Sequence, residues 1–364
     1  MADYHAQAPV RHADGATLIA EILDELDAAF APRADALGPD RVRAFAEQAR
    51  AAWEAVAPLL TARTGEGRVR RGHSDLHLGN IVLLEGRPVP FDALEFDERL
   101  GTCDVLYDLA FLVMDLLHRG LHPQANAVFN RYLFETRDEA GLAAFPLFLA
   151  VRAAIRAMVE AQTAEAAGRP VPEAARRYLD DAAGFMAPAG TRMVAVGGRS
   201  GTGKTTLARA LAPDLGRAPG ALHLRSDTER KALRGVDPLT PLPDDAYRPE
   251  VTEEVHIRLR HRAARALAAG QSVLLDATFL DQPARDSAEA VAREAGVPFR
   301  GLWLQATEDV LVDRVTARGR DASDADARVV RAQREAGPDG WTPLRAGGSA
   351  GDTLAAARAA LDRD

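Results

Sequence analysis

Apolar residues recur with helical spacing through the first sixty positions. In TLIAEILDELDAAF (17–30), Leu18, Ile22, Leu26 and Phe30 fall four apart on one helix face. A second periodic stretch, 40–62, carries Phe45, Trp53, Val56 and Leu59. The pattern then changes to short runs rich in β-branched and aromatic residues around Gly86, in NIVLLEG and RPVPFDALEF, which predicts a hairpin. Helical spacing returns over 103–119, 122–137 and 141–166. One more helix begins in GRPVPEAARRYL, with Pro172 suited to its first turn. GFMAPAGTRM (184–193) has two glycines, a proline and no period, so it reads as a linker.

Beyond the linker, apolar strands alternate with helices. The strands are MVAVGG, ALHLRSD (221–227), SVLLDAT (272–278) and PFRGLWLQA (298–306); helices fall at 204–212, through 267, at 283–295 and at 307–318. That alternation predicts a parallel sheet with crossover helices. The closing residues, 337–364, read as a short strand and a helix. The expected fold class is α/β: a mostly helical domain over 1–185, then a domain over 186–364 with a parallel sheet and flanking helices.

Composition narrows the classes of function. With 53 acidic and 45 basic residues the net charge is −8, which speaks against broad nucleic-acid or anionic-membrane binding. Cys103 is the only cysteine, so an internal disulfide and a thiolate zinc cluster are both excluded. No run reaches the ~18 uninterrupted apolar residues of a membrane helix. The first fifteen residues lack the basic-then-apolar pattern of a secretion signal. A cytoplasmic protein without membrane or nucleic-acid partners is the expectation.

The strongest chemical signal is Gly198-Arg199-Ser200-Gly201-Thr202-Gly203-Lys204-Thr205, continued by Thr206. It fits G-x-x-x-x-G-K-[ST] in full, after an apolar strand and before a helix. Glycines let backbone N–H groups converge on phosphate oxygens, and the helix N-terminus adds its positive dipole end. Lys204 is expected on the β- and γ-phosphates of ATP, and Thr205 on Mg²⁺. Asp276 ends an apolar strand and is expected as the second magnesium partner, or as a plain strand-end carboxylate. Asp227 ends another strand, where it would orient or deprotonate an acceptor hydroxyl, or cap the helix that follows. Arg230 lies one turn on. Arg314 and Arg318, with Arg320 past Gly319, form either a basic lid over the transferring phosphoryl group or a solvated helix end.

A second motif lies upstream. In HSDLHLGN (73–80), Asp75 and Asn80 are five apart, the kinase spacing in which Asp accepts a hydroxyl proton and Asn holds magnesium. Asp92, twelve residues later, is a candidate metal carboxylate, with Glu95 as a further oxygen. Asp108 interrupts an apolar run and reads as a brace for this loop, or as the polar face of its helix. His73 and His77, four apart without a third ligand, make weak zinc ligands; His73 reads as a packing element.

Residues 191–336 resemble the P-loop small-molecule and polynucleotide kinases, including gluconate-kinase-like enzymes, through the loop, the SD-x-x-R after the second strand and the late arginines. The resemblance implies that Asp227 contacts an acceptor hydroxyl and that the lid arginines contact phosphates. The upstream motif, with FDERLGTCDVLYDLAFLVMDL and LAVRAAIRAMV, resembles aminoglycoside-phosphotransferase-like proteins, in particular the bacterial subgroup that fuses such a domain to a P-loop kinase domain. That implies a helical kinase-like C-lobe over 1–185. One departure is Ser74, where such proteins usually have glycine. Another is that residues 1–70 offer no glycine-rich loop, no alternating strands and no lysine, so an amino-terminal kinase lobe is expected to be missing. The reading is of an ATP-dependent phosphotransferase with a small hydroxylated acceptor and nucleotide on the P-loop domain. The alternative is a nucleotide-dependent switch whose kinase-like domain binds a ligand or partner.

Overall fold

A computed structural model describes residues 1–94, 97–334 and 339–362. The chain divides into two compact units, Met1–Ala189 and Gly190–Asp364. The expected boundary at 185–186 falls inside the last turn of a helix instead.

The first unit is helical: α1 (Ala2–Gln7), α2 (Gly15–Phe30), α3 (Ala34–Leu37), α4 (Pro39–Gly65), α5 (Val105–His118), α6 (His122–Thr136), α7 (Phe145–Ala166) and α8 (Glu173–Met186). Polar side chains set several starts. Asp14 accepts from the Thr17 N–H to cap α2, and Asp104 from the Leu106 N–H to cap α5. Four short strands interrupt the helices: β1 (Val69–Arg71), β2 (Ile81–Leu84), β3 (Arg87–Pro90) and β4 (Thr102–Asp104). The expected hairpin is β2–β3, turned by Glu85 and Gly86, both with positive φ. The pairing of β1 with β4 is new, since three-residue strands carry no period to read.

The core face of α2 also differs from the expectation. Ile19, Leu23, Leu26 and Phe30 are buried, whereas Leu18 and Ile22 are only half-buried. Glu139–Ala166, which contains α7, is long and apolar enough to cross a membrane, and 67% of its most apolar window lies buried within the unit. Arg152 and Arg156 interrupt its apolar run.

The second unit is a five-stranded parallel sheet. Its elements are β5 (Met193–Gly197), α9 (Lys204–Leu211), β6 (Leu222–Arg225), α10 (Ser226–Leu233), α11 (Pro249–Ala268), β7 (Val273–Asp276), α12 (Gln282–Glu294), β8 (Phe299–Gln305), α13 (Glu308–Ala317), α14 (Ala327–Ala332), β9 (Thr342–Arg345) and α15 (Ala350–Leu361). The strand order is β6-β7-β5-β8-β9, which makes this an α/β P-loop fold with the loop leaving the central strand. β5 and β7 are wholly buried, as continuous apolar strands covered on both faces should be. On one side of the sheet, Leu207 and Leu211 of α9 and Ala357 and Leu361 of α15 pack with Val194, Val196 and Leu302.

Candidate functional site

In the second unit β5 ends at Gly197, and residues 198–203 turn before α9 begins at Lys204. Gly198, Gly201 and Gly203 all have positive φ. Two of these turns also need the missing side chain: a Cβ on Gly198 would lie 2.5 Å from the Leu304 carbonyl oxygen, and one on Gly201 2.7 Å from that of Leu311. Lys204 Nζ donates to the Arg199 carbonyl oxygen at 2.9 Å, folding back across the loop. Thr202 Oγ1 donates to that same oxygen at 2.8 Å. Loss of hydration lowers the Lys204 pKa against the pull of Asp276 and Asp227.

Thr205 Oγ1 donates to Asp276 Oδ2 at 2.7 Å, so the two expected magnesium partners meet. Asp276 is buried, yet its pKa is lowered: burial pushes it up, and the His223 hydrogen bond with the charges of His223, Arg225 and Lys204 outweighs that. An ionised carboxylate beside a hydroxyl is a hard oxygen donor set, which suits Mg²⁺. The parallel register explains the meeting, because Val196 of β5 pairs with Asp276 of β7. Arg225 of β6 also pairs with Asp276, which aligns all three strand ends.

These groups line a cleft of about 850 Å³. Asp227 lies within the first turn of α10, which has no side-chain cap, so the capping alternative is not what the structure contains. Arg225 holds it, with Nη2 3.3 Å from Asp227 Oδ2, and also pairs with Asp321. Among the described residues, the buried Arg230 has no carboxylate partner. Its Nη1 donates to the Ala246 carbonyl oxygen at 2.7 Å, its guanidinium lies 4.8 Å from the Tyr247 ring centroid, and Nε has no hydrogen-bond partner among those residues. Desolvation lowers its pKa.

Arg314 and Arg318 line the cleft too, but backbone carbonyls tie them down. Arg314 donates to Ala346 and Gly348, and Arg318 to Ser323 and Ala325. Arg320 is exposed. Thr206 is exposed at the helix start and lines the cleft. Gln333 was not anticipated. Its Oε1 accepts from the Ser200 N–H at 2.8 Å, and its Nε2 donates to Ser200 Oγ at 3.0 Å. Arg199 reaches the same arm, donating to the Val330 carbonyl oxygen and pairing with Glu308. No motif announces these contacts, because they join residues more than a hundred positions apart.

In the first unit the upstream loop is held from several sides. The buried Asp108 carboxylate accepts from the N–H groups of His73 and Ser74 at 2.8 and 2.7 Å, and from His5 Nε2 at 2.9 Å. This is the bracing role expected of it. Asp115 adds a second brace, accepting from the Leu78 N–H at 2.9 Å. Ser74 has φ +65°, a left-handed turn in which glycine is the unstrained residue. The buried His73 donates from Nε2 to the Phe91 carbonyl oxygen, 3.0 Å away.

Asn80 Nδ2 donates to Asp75 Oδ2 at 2.8 Å, so this pair is formed. Asp92 is exposed, and the described His, Cys, Asp and Glu side chains form no group of three or more that could hold a metal. Of the expected upstream residues, the base Asp75 and the metal ligand Asn80 are thus brought together, and the metal ligand Asp92 is exposed. Glu95 lies outside the described residues.

Residues 193–337 fit a family model described as an AAA domain. Two uncharacterised proteins, from Mycobacterium bovis and Mycobacterium tuberculosis, are each 33% identical over 279 residues, covering 75% of this chain and 55% of theirs. The chain thus spans about half the length of the curated relatives it matches. Among solved structures, a gluconokinase from Sinorhizobium meliloti is 22% identical with a TM-score of 0.34, covering 47% of this chain and 92% of its own. The APS kinase of Mycobacterium tuberculosis, in complex with AMPPNP and APS, is 23% identical with a TM-score of 0.33, covering 48% and 98%. A tunicamycin resistance protein from Deinococcus radiodurans is 19% identical with a TM-score of 0.34, covering 47% and 96%.

Proposed function

We propose that the second unit transfers the γ-phosphoryl group of Mg·ATP to a hydroxyl of a small molecule. The observation that carries this reading is the meeting of Lys204, Thr205 and Asp276 at the head of a glycine-turned loop. Residues 198–206 would hold the phosphates through backbone N–H groups, with the Lys204 ammonium leaving the Arg199 carbonyl to reach them. Magnesium, held beside Thr205 and Asp276, would supply neutralisation of phosphate charge. Asp227, oriented by Arg225, would accept the acceptor hydroxyl's proton. Arg230 would fix the acceptor near it, and Arg314 and Arg318 would neutralise the transferring group once freed from their carbonyls. Catalysis would rest on positioning and charge.

In the first unit, Asp75 and Asn80 would form a kinase-like site whose Asp92 is not yet in place. Its resemblance to an aminoglycoside-phosphotransferase-like C-lobe, and a cytoplasmic location, belong to the same proposal.

Purified protein with Mg·ATP and a panel of small alcohols should turn over, and Lys204→Ala should abolish this. Full activity in that variant would refute the assignment. A second reading has its own support. Gln333 and Arg199 couple the phosphate loop to α14, so nucleotide occupancy could be passed to that arm as a switch. ATP hydrolysis without acceptor phosphorylation across the panel, seen by mass spectrometry, would favour it.

A further inference from the structure

The cleft of the second unit holds a histidine that the phosphoryl-transfer chemistry leaves unused. Thr252 and His256 lie one turn apart on α11, and both line the cleft with Asp227. His256 is half-buried. Neither ring nitrogen has a hydrogen-bond partner among the described residues, and neither is sealed from the surface as Arg230 Nε is. Loss of hydration lowers the His256 pKa. Glu253 and Asp281 pull it up, Arg260 and Arg230 push it down, and the net direction is down. The imidazole is therefore neutral near pH 7, with one nitrogen donating and the other accepting. A hydroxyl group, which also does both, is its natural complement.

The ring is held by a strained neighbour. Phe279, three residues past Asp276, has φ +49°, a left-handed conformation that a bulky residue keeps only where its surroundings fix it. Its buried ring packs with His256, 6.1 Å between centroids, and with Trp341 at 5.2 Å. The buried Arg285 donates to its carbonyl oxygen at 2.7 Å. Thr252 is oriented from another side. Its Oγ1 accepts from Arg230 Nη2 at 3.3 Å, and its own hydrogen has no acceptor among the described residues. Arg230 is otherwise engaged, with Nη1 on the Ala246 carbonyl oxygen and its guanidinium beside the Tyr247 ring. It therefore acts on an acceptor through Thr252.

We propose that His256 and Thr252 together bind a second hydroxyl of the acceptor, so that the substrate class is a polyol, its reacting hydroxyl on Asp227 and a neighbouring one on α11. This rests on the reading of the second unit as a phosphotransferase. A monohydroxy alcohol would leave both α11 groups to water and gain nothing from them. His256 is thus a specificity-determining residue, and Phe279 and Arg230 position the pair that does the selecting.

NMR of the full chain with bound Mg·AMPPNP tests the binding step apart from turnover, read at the His256 ring and the Thr252 methyl group. The His256 ring signal is the one that His256→Phe removes. The probes are glycerol, ribitol and myo-inositol, each against its monohydroxy counterpart, 1-propanol, 1-pentanol and cyclohexanol. At least one polyol should shift both signals saturably while its counterpart does not, and mass spectrometry should show that polyol phosphorylated with Mg·ATP. In His256→Phe its affinity, followed at Thr252, should fall roughly three- to ten-fold, the effect of one hydrogen bond. His256→Gln, which keeps a donor and an acceptor, should recover most of that loss. Calorimetry should find Mg·AMPPNP bound equally well by both variants and the wild type. A polyol that shifts the signals but is never phosphorylated would refute the phosphotransferase reading and leave the polyol site standing. No shift by any polyol, equal shifts by both members of a pair, or an affinity unmoved in His256→Phe would each overturn the proposal itself.

Discussion

The tightest constraint at the residue scale is in the phosphate loop, where two glycines are demanded for different reasons. Gly203 has φ +90° with open space around a would-be Cβ, so Gly203→Ala should cost only the left-handed strain, about 1–2 kcal/mol. Gly201 has φ +84° and a would-be Cβ 2.7 Å from the Leu311 carbonyl oxygen and 3.2 Å from Val315 Cγ1, both on α13. Gly201→Ala must therefore add a backbone displacement to the same strain. Urea denaturation should show Gly201→Ala to be clearly the more damaging of the two. Equal losses would mean that α13 yields without cost.

At the scale of elements, the first unit depends on an ion cluster hidden from sequence patterns. Arg63, near the end of α4, is 1% exposed and reaches Asp104 at the start of α5 and Asp138 in the loop after α6. Nε and Nη2 bond Asp104 at 2.7 and 2.8 Å, and Nη1 and Nη2 bond Asp138 at 2.8 and 2.9 Å. Burial alone would push the Arg63 pKa down, but the two carboxylates overcome it and raise it. Asp138 is shifted below its ordinary value although burial opposes this, chiefly through its hydrogen bond with Arg63. Removing one member leaves buried charges unpaired, so Arg63→Ala should destabilise the unit by about 3–5 kcal/mol. Chemical denaturation followed by a first-unit probe such as Trp53 would measure it, and a loss under about 1 kcal/mol would show that water or rearrangement relieves the carboxylates.

On the largest scale, each unit is organised around one buried carboxylate at the end of a network. In the second that is Asp276, where β5, β6 and β7 come into register. In the first it is Asp108, which ties α1 through His5 to the loop at 73–74, while His5 continues to Tyr132 of α6 at 2.8 Å. Burial drives the Asp108 pKa up, yet the His5 hydrogen bond and the charges of His5 and Arg152 drive it further down, so the net shift is downward. A carboxylate with a depressed folded pKa contributes stability that is complete above its unfolded value, about 3.9, and is lost as pH falls through the folded one. The stability difference between the wild type and Asp108→Asn should thus be constant above about pH 4 and shrink on further acidification. A gap that stays constant or widens in acid would contradict this.

Local spacing carried much of the architecture. Helices and strands longer than about four residues have a period, and the phosphate loop has a fixed order of residue types, so the parallel sheet, most helices and the Gly198–Thr205 motif were all readable before any coordinates. Ser74 adopts a left-handed turn, the conformation that glycine takes without strain. Other features had no local signature. The β1–β4 pair is too short to show alternation. The core face of α2 was misassigned because Leu18 and Ile22 line a cavity, and a cavity and a packed core demand the same apolar residues. The contact of Gln333 with Ser200 and the Arg63 cluster both join positions far apart in the chain. Residue order along the chain thus determined the elements and the phosphate-binding chemistry, because both are written in short-range spacing. Only the tertiary structure decided which charges are buried together, which arginines are held by carbonyls and where the empty space lies, because burial and hydrogen-bond satisfaction depend on neighbours brought by the fold.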